Sequence, residues 1–265
     1  MEVVLEQNKR KSVAIATDFG LVSVIMPNYN SSPYLKQAIS SVVAQSYQNW
    51  ELILVDDRST DDWRAVLESF NDDRIRVIEN QENSGAAVSR NRAIEAANGR
   101  WIAFLDSDDR WCEDKLEKQL SFMVNGSHAF SFTHYCVVDQ SGEGITDFCP
   151  KKRAYDYHTI LKHCYIGCST VIYDRDRLGK VYMPTNAPKR EDFACWLYIL
   201  KQGIDAVCLH ECLTDYRIHS SSVSSNKWKM IGYQWTVYRR VERMNVLKCL
   251  FYMAHWAVLG VLKYR

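Results

Sequence analysis

Carboxylate side chains are crowded into two short segments of the chain. Asp56-Asp57 follows one apolar run, and Asp106-Ser107-Asp108-Asp109 follows another. Because neighbouring carboxylates repel one another, such clusters usually need a cation. Side chains alternate along an extended segment, so the carboxylates of Asp106 and Asp108 are expected to point the same way. Oxygen ligands suit Mg²⁺ or Mn²⁺, which complete their shells with water and phosphate oxygens, so a nucleoside diphosphate is the expected partner.

The elements that must position these carboxylates alternate along the first half of the chain. The predicted strands are residues 21–26, 51–55, 74–78 and 101–105, and the predicted helices between them are 33–46, 61–70 and 84–97. Short, wholly apolar strands that alternate with helices are typical of a parallel sheet covered on both faces. Such sheets bind ligands at the carboxyl ends of their strands, where both acidic clusters fall.

The second half of the chain is less regular. We predict helices at 114–124 and 192–202, strands at 128–138, 165–173 and 206–210, and a turn-rich charged stretch at 139–160. Because no repeat, low-complexity tract or linker divides the chain, we expect one catalytic domain over residues 21–225. A polar tail, residues 1–20, precedes this domain, and helices over residues 226–265 follow it.

Composition excludes several classes of function. The chain has 265 residues, of which 47% are hydrophobic and 25% charged, as in ordinary globular domains. No apolar run reaches about 18 residues, which excludes a multi-span membrane protein. A net charge of +1 argues against a nucleic-acid partner held through its phosphates. The glycine motifs of dinucleotide-binding dehydrogenases and P-loop hydrolases are also missing.

The nine cysteines admit two interpretations. Cys164-x-x-x-Cys168 and Cys208-x-x-x-Cys212 have spacings that a structural zinc site could use. The apolar surroundings of Cys168, Cys195 and Cys208 favour small core side chains instead. The first 20 residues lack the long apolar core of a secretory leader, so we predict a reducing, cytoplasmic location.

Five motifs, in order, resemble those of family 2 glycosyltransferases with the GT-A fold. They are an opening formed by residues 23–30 (SVIMPNYN) and 45–57 (QSYQNWELILVDD), then 83–93 (NSGAAVSRNRA), 101–109 (WIAFLDSDD), 190–192 (RED) and 216–219 (YRIH). The resemblance covers about residues 20–225. It implies an α/β GT-A fold with a mostly parallel central sheet flanked by helices, and a C-terminal helical extension.

The resemblance also implies a role for each matching residue. The residues expected to bind the nucleotide-sugar are Pro27, Tyr29, Asp57, Arg90, Asp106 and Gly167. Asp108 is expected to hold Mn²⁺ or Mg²⁺, with Asp109 assisting and His219 contacting the metal or the diphosphate. Asp192 is expected to be the catalytic base, with Glu191 on the acceptor hydroxyl, while Asp56 only shapes its turn.

The implied reaction is inverting transfer of a hexose, with glucose or galactose favoured, from a UDP-sugar by metal-assisted direct displacement. The implied acceptor is a sugar hydroxyl of a lipid-diphosphate such as GlcNAc-diphosphate-undecaprenol, in bacterial O-antigen, capsule or exopolysaccharide synthesis. One alternative is a nucleotidyltransferase, although Pro27-Asn-Tyr-Asn30 stands where such enzymes carry a glycine-rich basic loop. A noncatalytic carbohydrate-binding protein is another, although the acidic motifs are intact.

The last forty residues differ in composition from the rest. They are rich in Lys, Arg and aromatic residues and contain a single acidic residue, Glu242. A basic, aromatic helical pair is typical of binding to a membrane surface. The alternative is packing on the core, with the Lys and Arg stems lying along apolar surface. We predict a peripheral protein on the cytoplasmic face of the inner membrane.

Overall fold

A computed structural model of the chain describes residues 18–219 and 227–262, so most of the predicted N-terminal tail lies outside the described residues. The strands are β1 Val22–Asn28, β2 Trp50–Asp56, β3 Ile75–Glu79, β4 Trp101–Phe104, β5 Arg110–Trp111, β6 Phe130–Val138, β7 Gly144–Phe148, β8 Ala154–Tyr155, β9 Ile172–Asp174 and β10 Ala206–Arg217. The helices are α1 Ser32–Val43, α2 Trp63–Glu68, α3 Ala86–Ala96, α4 Lys115–Asn125, α5 Tyr157–Lys162, α6 Arg175–Leu178, α7 Glu191–Leu200, α8 Lys227–Thr236 and α9 Val246–Leu262. A π-helical segment, Val237–Val241, lies between α8 and α9.

One mixed sheet carries the site. Its strand order is β3-β2-β1-β4-β9-β6-β10-β5, with β7 and β8 attached at the side. Strands β3, β2, β1 and β4 are parallel to one another, and β6 is parallel to β10, whereas β9 is antiparallel to both β4 and β6. The predicted α/β fold with a central sheet flanked by helices is therefore confirmed, and its first four strands end at the same edge. Strands β5, β7, β8 and β9 pair only in the antiparallel direction.

Successive residues of the strands belong in turn to two separate hydrophobic cores, one on each face of the sheet. Val24 and Leu52 pack with α1, α2 and α4 on one face. Ile25 and Ile53 pack with α3 and α7 on the other face. Tyr238, which is fully buried, joins this second core, so part of the C-terminal region packs on the domain. Both faces of the sheet are covered, as expected for buried parallel strands.

The structure differs from the sequence-based expectation in the second half. The predicted strand at 165–173 is instead a loop, a 3₁₀ turn over Cys168–Thr170 and the short β9. The hydroxyl of Thr170 donates to the carbonyl of Gly167 at 2.7 Å, a local hydrogen bond that competes with strand pairing. The predicted strand at 206–210 extends to Arg217, and the turn-rich stretch contains β7, β8 and most of α5.

A buried lysine, Lys115, should make the unfolding free energy depend on pH. Lys115 of α4 is fully buried, and its Nζ donates to Oε1 of Gln119 at 2.8 Å and lies 4.2 Å from the Trp111 ring centroid. Burial lowers the pKa of Lys115 to about 7. The unfolded chain keeps this proton up to about pH 10.4, so the unfolding free energy should rise with pH between these values, by up to about 1.4 kcal/mol per unit.

We therefore expect Lys115→Met to remove this rise. Urea unfolding of both proteins from about pH 6 to about pH 9 measures how the unfolding free energy changes with pH. The substitution also removes the hydrogen bond to Gln119, but a loss that is the same at every pH does not alter this slope. Lys118→Met on the same helix is the matched control, because Lys118 is exposed and its pKa is raised by bonds to Asp114 and Glu211. Equal slopes in wild type and Lys115→Met would contradict the expectation.

Candidate active site

Three of the predicted site residues, Tyr29, Asp57 and Asp106, lie just beyond the ends of β1, β2 and β4. Asn28 pairs with Asp56, and Ile25 pairs with Phe104, so the loops after these three strands leave the sheet at one edge. Tyr29 follows β1 directly and exposes 52% of its surface. Pro27 lies inside β1 rather than beyond its end. This edge therefore presents an open aromatic ring beside two acidic loops.

The first acidic loop is tied to the start of α3. Asp57 is buried, and its carboxylate accepts hydrogen bonds from the Asn80 side-chain amide at 2.6 Å and from the backbone N–H groups of Ser84 and Gly85 at 2.8 and 2.7 Å. The carboxylate of Asp56 instead accepts bonds from within and beside its own turn. Asp56 thus shapes the turn, and Asp57 holds α3 against the sheet edge.

Arg90, on α3, joins the second acidic loop to α7. Its guanidinium is buried and donates from Nη2 to Asp106 Oδ1 at 2.5 Å and from Nη1 to Glu191 Oε1 at 3.4 Å. Burial opposes its charge, but Asp106, Cys168 and Glu191 together raise the pKa of Arg90 well above its usual value. A fixed cation therefore connects the loop after β4 with the predicted acceptor residues.

The two acidic residues that open α7 have different surroundings. Burial raises the pKa of the Glu191 carboxyl, although Arg90 opposes the shift. Oε2 of Glu191 is buried and has no hydrogen-bond partner within the described residues. Asp192 is half-buried, and its Oδ1 accepts from the backbone N–H of Phe193 at 2.6 Å. A Glu191 oxygen that can still accept a hydrogen bond therefore lies next in sequence to the partly exposed carboxylate of Asp192.

The second acidic loop carries the predicted metal ligands. Asp108 Oδ2 lies 2.9 Å from Nε2 of His219, and the Asp108 side chain keeps 30% of its surface exposed. Burial and the charge of Asp106 raise the pKa of Asp108, while His219 lowers it. Carboxylates crowded in this way, with a histidine nitrogen alongside, fit a divalent cation such as Mn²⁺ or Mg²⁺.

Asp109 has a different environment, because both of its oxygens are used by the protein. Oδ2 accepts from the Ser169 hydroxyl at 2.5 Å, and Oδ1 accepts from the backbone N–H of Arg217 at 2.9 Å. Burial, together with Asp108 and Asp106, raises the pKa of Asp109 well above its usual value. These bonds suit an assisting role that fixes the loop.

Sequence reasoning assigned no role to two residues of this site, Arg217 and Ser169. The Arg217 side chain is 1% exposed and donates to the backbone carbonyls of Asp108, Asp139 and Gln140. Ser169 accepts from the backbone N–H of Asp106 at 3.1 Å. Arg217 lies in residues 216–219, one of the five motifs found in the sequence, and this position was the only sequence signal of its importance. Together the two residues hold the backbone of the acidic loop.

We expect Arg217→Lys to lower the free energy of unfolding by about 2–4 kcal/mol, since a lysine cannot make the same set of bonds to carbonyls. Urea unfolding measures the loss. Arg110→Lys is the matched control: Arg110 is 39% exposed and pairs with Asp215 at the same end of β10, so its loss should stay below about 1 kcal/mol. Equal losses in the two variants would contradict a special role for Arg217.

Gly167 and Cys168 directly precede Ser169, which bonds to the second acidic loop. A Cβ atom at Gly167 would lie 3.3 Å from Cε1 of Tyr135, so glycine permits close packing of this loop on β6. Whether Gly167 also admits the donor sugar stays a prediction. Cys168 is buried, and burial raises the pKa of its thiol well above the usual value even with Arg90 nearby. The Cys168 thiol is therefore a neutral, space-filling group.

Comparison with known sequences identifies relatives over nearly the whole chain. The family model described as "Glycosyl transferase family 2" matches residues 23–176. TuaG of Bacillus subtilis is 46% identical over 92% of this chain and 97% of its own length. Its name describes a teichuronic acid biosynthesis glycosyltransferase. WfgD of Escherichia coli, named as a UDP-Glc:alpha-D-GlcNAc-diphosphoundecaprenol beta-1,3-glucosyltransferase, is 39% identical over 92% of this chain and 95% of its own.

Solved structures share the architecture at lower identity. Residues 1–349 of Staphylococcus aureus TarS, in complex with UDP-GlcNAc, match with a TM-score of 0.67 and 20% identity over 89% of this chain and 71% of that one. The mannosyltransferase PcManGT from Pyrobaculum calidifontis, in complex with GDP-Man and Mn²⁺, matches with a TM-score of 0.63 and 18% identity over 88% and 70%. These likenesses confirm the predicted GT-A fold.

Proposed function

This chain belongs to the family 2 glycosyltransferases, and from that premise we propose that it transfers glucose from UDP-glucose to a sugar hydroxyl of a lipid-diphosphate-linked acceptor. The observation that carries the proposal is the buried Arg90, which bonds both to Asp106 at the strand ends and to Glu191 beside Asp192. One cation thus connects the two groups of residues that a transfer reaction requires. The name of WfgD favours glucose as the sugar and a GlcNAc-diphosphate-lipid as the acceptor.

The donor is bound at the edge formed by the loops after β1, β2 and β4. The exposed ring of Tyr29 stacks on the uracil, with the Pro27 backbone beneath it. Asp57 accepts from the imide N–H of the base, since a carboxylate has more lone pairs than its three present bonds use. Asp106 contacts the ribose or the sugar, and Arg90 offers charge to the diphosphate.

Asp108 and His219 hold Mn²⁺ or Mg²⁺, with Asp109 assisting through its bonds to Ser169 and Arg217. When bound, the cation neutralises the charge that develops on the departing diphosphate. The chain itself supplies the geometry, because Arg217 and Ser169 hold the loop that carries Asp108. A fixed ligand of this kind costs no reorganisation when the reaction occurs.

Asp192 acts as the general base. It takes the proton from the acceptor hydroxyl as that oxygen attacks the anomeric carbon, and the bond from the carbon to the diphosphate oxygen breaks at the same time. Attack from the face opposite UDP inverts the anomeric configuration. Its place in the first turn of α7 holds this carboxylate beside Glu191. The free Oε2 of Glu191 accepts a hydrogen bond from the acceptor sugar.

An assay with a defined acceptor tests the proposal. The purified chain is incubated with Mn²⁺, a synthetic GlcNAc-diphosphate-lipid and either UDP-glucose, UDP-galactose or UDP-GlcNAc. We expect UDP as the released product and a hexosyl-GlcNAc lipid, formed fastest from UDP-glucose. Release of inorganic diphosphate would indicate a nucleotidyltransferase, and normal binding of all three donors without transfer would indicate a noncatalytic protein.

A membrane surface is the proposed location of the acceptor. Among the described residues, none of the helices combines the length and the hydropathy that a membrane span requires. However, α9 exposes Leu247, Leu250, Phe251 and Val258 at helical spacing, and Leu247 shows 78% of its surface. The exposed Arg239, Arg240 and Arg243 precede this helix. We propose that this face of α9 lies on the anionic cytoplasmic leaflet, while its other side packs on the domain.

We expect the double substitution Leu247→Glu with Phe251→Glu to reduce binding to phosphatidylglycerol vesicles about tenfold or more, since each apolar side chain contributes about 1.5–3 kcal/mol when buried. Sedimentation of the full chain with vesicles measures the bound fraction. Ile145→Glu, at an exposed apolar position on β7, is the matched control and should leave binding unchanged. Unaltered binding of the double variant would contradict the proposed face.

A further inference from the structure

A second group of metal-binding side chains lies on β6 and β10 rather than in the loops of the active site. One possible ligand atom each of His134, Cys208 and His210 lies within 4.8 Å of the other two. His134 is on β6, and the other two residues are on the neighbouring strand β10, whose pairing is irregular between Leu209 and Cys212. The two imidazole rings stack with centroids 5.0 Å apart.

The hydrogen bonds of both histidines define their tautomers. Nε2 of His134 lies 3.3 Å from the carbonyl oxygen of Pro150, and Nε2 of His210 lies 3.2 Å from that of Lys152. A carbonyl oxygen can only accept, so each Nε2 must carry the hydrogen, and each neutral ring keeps its lone pair on Nδ1. Histidines that bind metals usually have one ring N–H donated to such a carbonyl.

The types of side chain in this group also favour a particular kind of cation. His134 and His210 each offer one ring nitrogen, and Cys208 offers a sulfur atom. Neutral imidazoles and a thiolate are the ligands that zinc prefers. By contrast, the carboxylate oxygens around Asp108, in what we call the strand-end site, suit Mn²⁺ or Mg²⁺.

We propose that His134, Cys208 and His210 bind a zinc-type divalent cation, with Cys149 as the fourth ligand. Cys149 lies one residue beyond the Phe148–Tyr135 pair, at the end of the antiparallel ladder that leads to His134. Its sulfur lies outside the group of three and would move towards the ion on binding. Cys149 is also exposed and carries a free thiol. Of the two cysteine pairs noted in the sequence, only Cys208 belongs to this site. Binding releases the two thiol protons to solvent, so it should strengthen as the pH rises.

The proposed ion would act structurally. It would join β6, β10 and the segment 149–152, whose carbonyl groups already hold both imidazole rings. Because β10 ends at Arg217, which anchors the acidic loop, the ion would stabilise a strand on which the active site depends. It would not take part in the chemical step.

Metal content and Co²⁺ spectroscopy of the full chain test this site. After removal of metals by a chelator, we expect one Zn²⁺ per chain to be regained and to survive dialysis, and Co²⁺ to give the absorption of a thiolate complex. Cys208→Ser and His134→Gln should lose both signals, and Cys149→Ser should lose about half of the thiolate absorption. Cys212→Ser, a nearby exposed cysteine, and Asp108→Asn, at the strand-end site, should retain both.

Two results would overturn the proposal. One is a wild-type chain that regains no zinc and gives no Co²⁺–thiolate absorption, a measurement that needs no variant to fold. The other is equal zinc retention by wild type, Cys208→Ser and His134→Gln. Unchanged Co²⁺ absorption in Cys149→Ser would overturn the fourth ligand. Zinc should also raise the melting temperature of the wild type and not that of Cys208→Ser, whatever the transferase activity.

Discussion

An Asp192→Asn variant is expected to lose about 10²–10⁴-fold in kcat, while its KM for the UDP-sugar stays close to the wild-type value. Asparagine has the same shape and can still accept from the Phe193 N–H, so α7 should begin as before. It cannot take a proton from the acceptor hydroxyl. The proposed donor contacts lie at the ends of β1, β2 and β4 and are untouched, so the loss should fall on the chemical step.

Initial rates of UDP release with the lipid-linked acceptor measure this effect, and calorimetry with UDP tests whether the donor site is intact. Asp205→Asn, at an exposed position after α7, is the matched control and should retain full activity. Full transfer by Asp192→Asn would mean that another group is the base. A comparable loss in Asp205→Asn would point to a general loss of folded protein instead.

The elements at the donor edge were predictable because their signals are local. The strands β1, β2 and β4 are short apolar runs, and the carboxylates follow two of them directly, so periodicity and position sufficed. The interruption of the parallel order by the antiparallel β9 was not predictable in this way. It depends on pairing with β4 and β6, and no local pattern in residues 165–173 specifies those partners.

The residues that support the site were harder to predict, because their contacts are distant in sequence. Arg217 bonds to Asp109 across 108 positions, and His134 meets His210 only because β6 and β10 are neighbours. The C-terminal region shows a different difficulty. Tyr238 is buried in the core while Leu247 is exposed, so this region carries apolar surface on two sides. Composition alone cannot distinguish core packing from membrane binding when both kinds of face occur.

An Asp108→Asn variant is expected to lose Mn²⁺ binding at the strand-end site and to transfer sugar about 10²–10³-fold more slowly. The substitution removes one negative charge from the crowded carboxylates but leaves an oxygen that can still pair with His219 Nε2. The loop should therefore keep its position while its cation affinity falls. Electron paramagnetic resonance of Mn²⁺ titrations measures the binding, and rates at saturating UDP-glucose measure the transfer.

An Asp109→Asn variant tests whether Asp109 binds the metal directly or only holds the acidic loop in place. Both Asp109 oxygens accept bonds, from Ser169 and from the Arg217 backbone, and an amide can replace only one of these acceptors. Asp109→Asn should therefore lower the unfolding free energy by about 1–3 kcal/mol, while the folded protein binds Mn²⁺ nearly as well as wild type. If Asp109→Asn instead melts normally and loses Mn²⁺ as fully as Asp108→Asn, then Asp109 is itself a ligand, and its bonds to Ser169 and Arg217 must open when the metal binds.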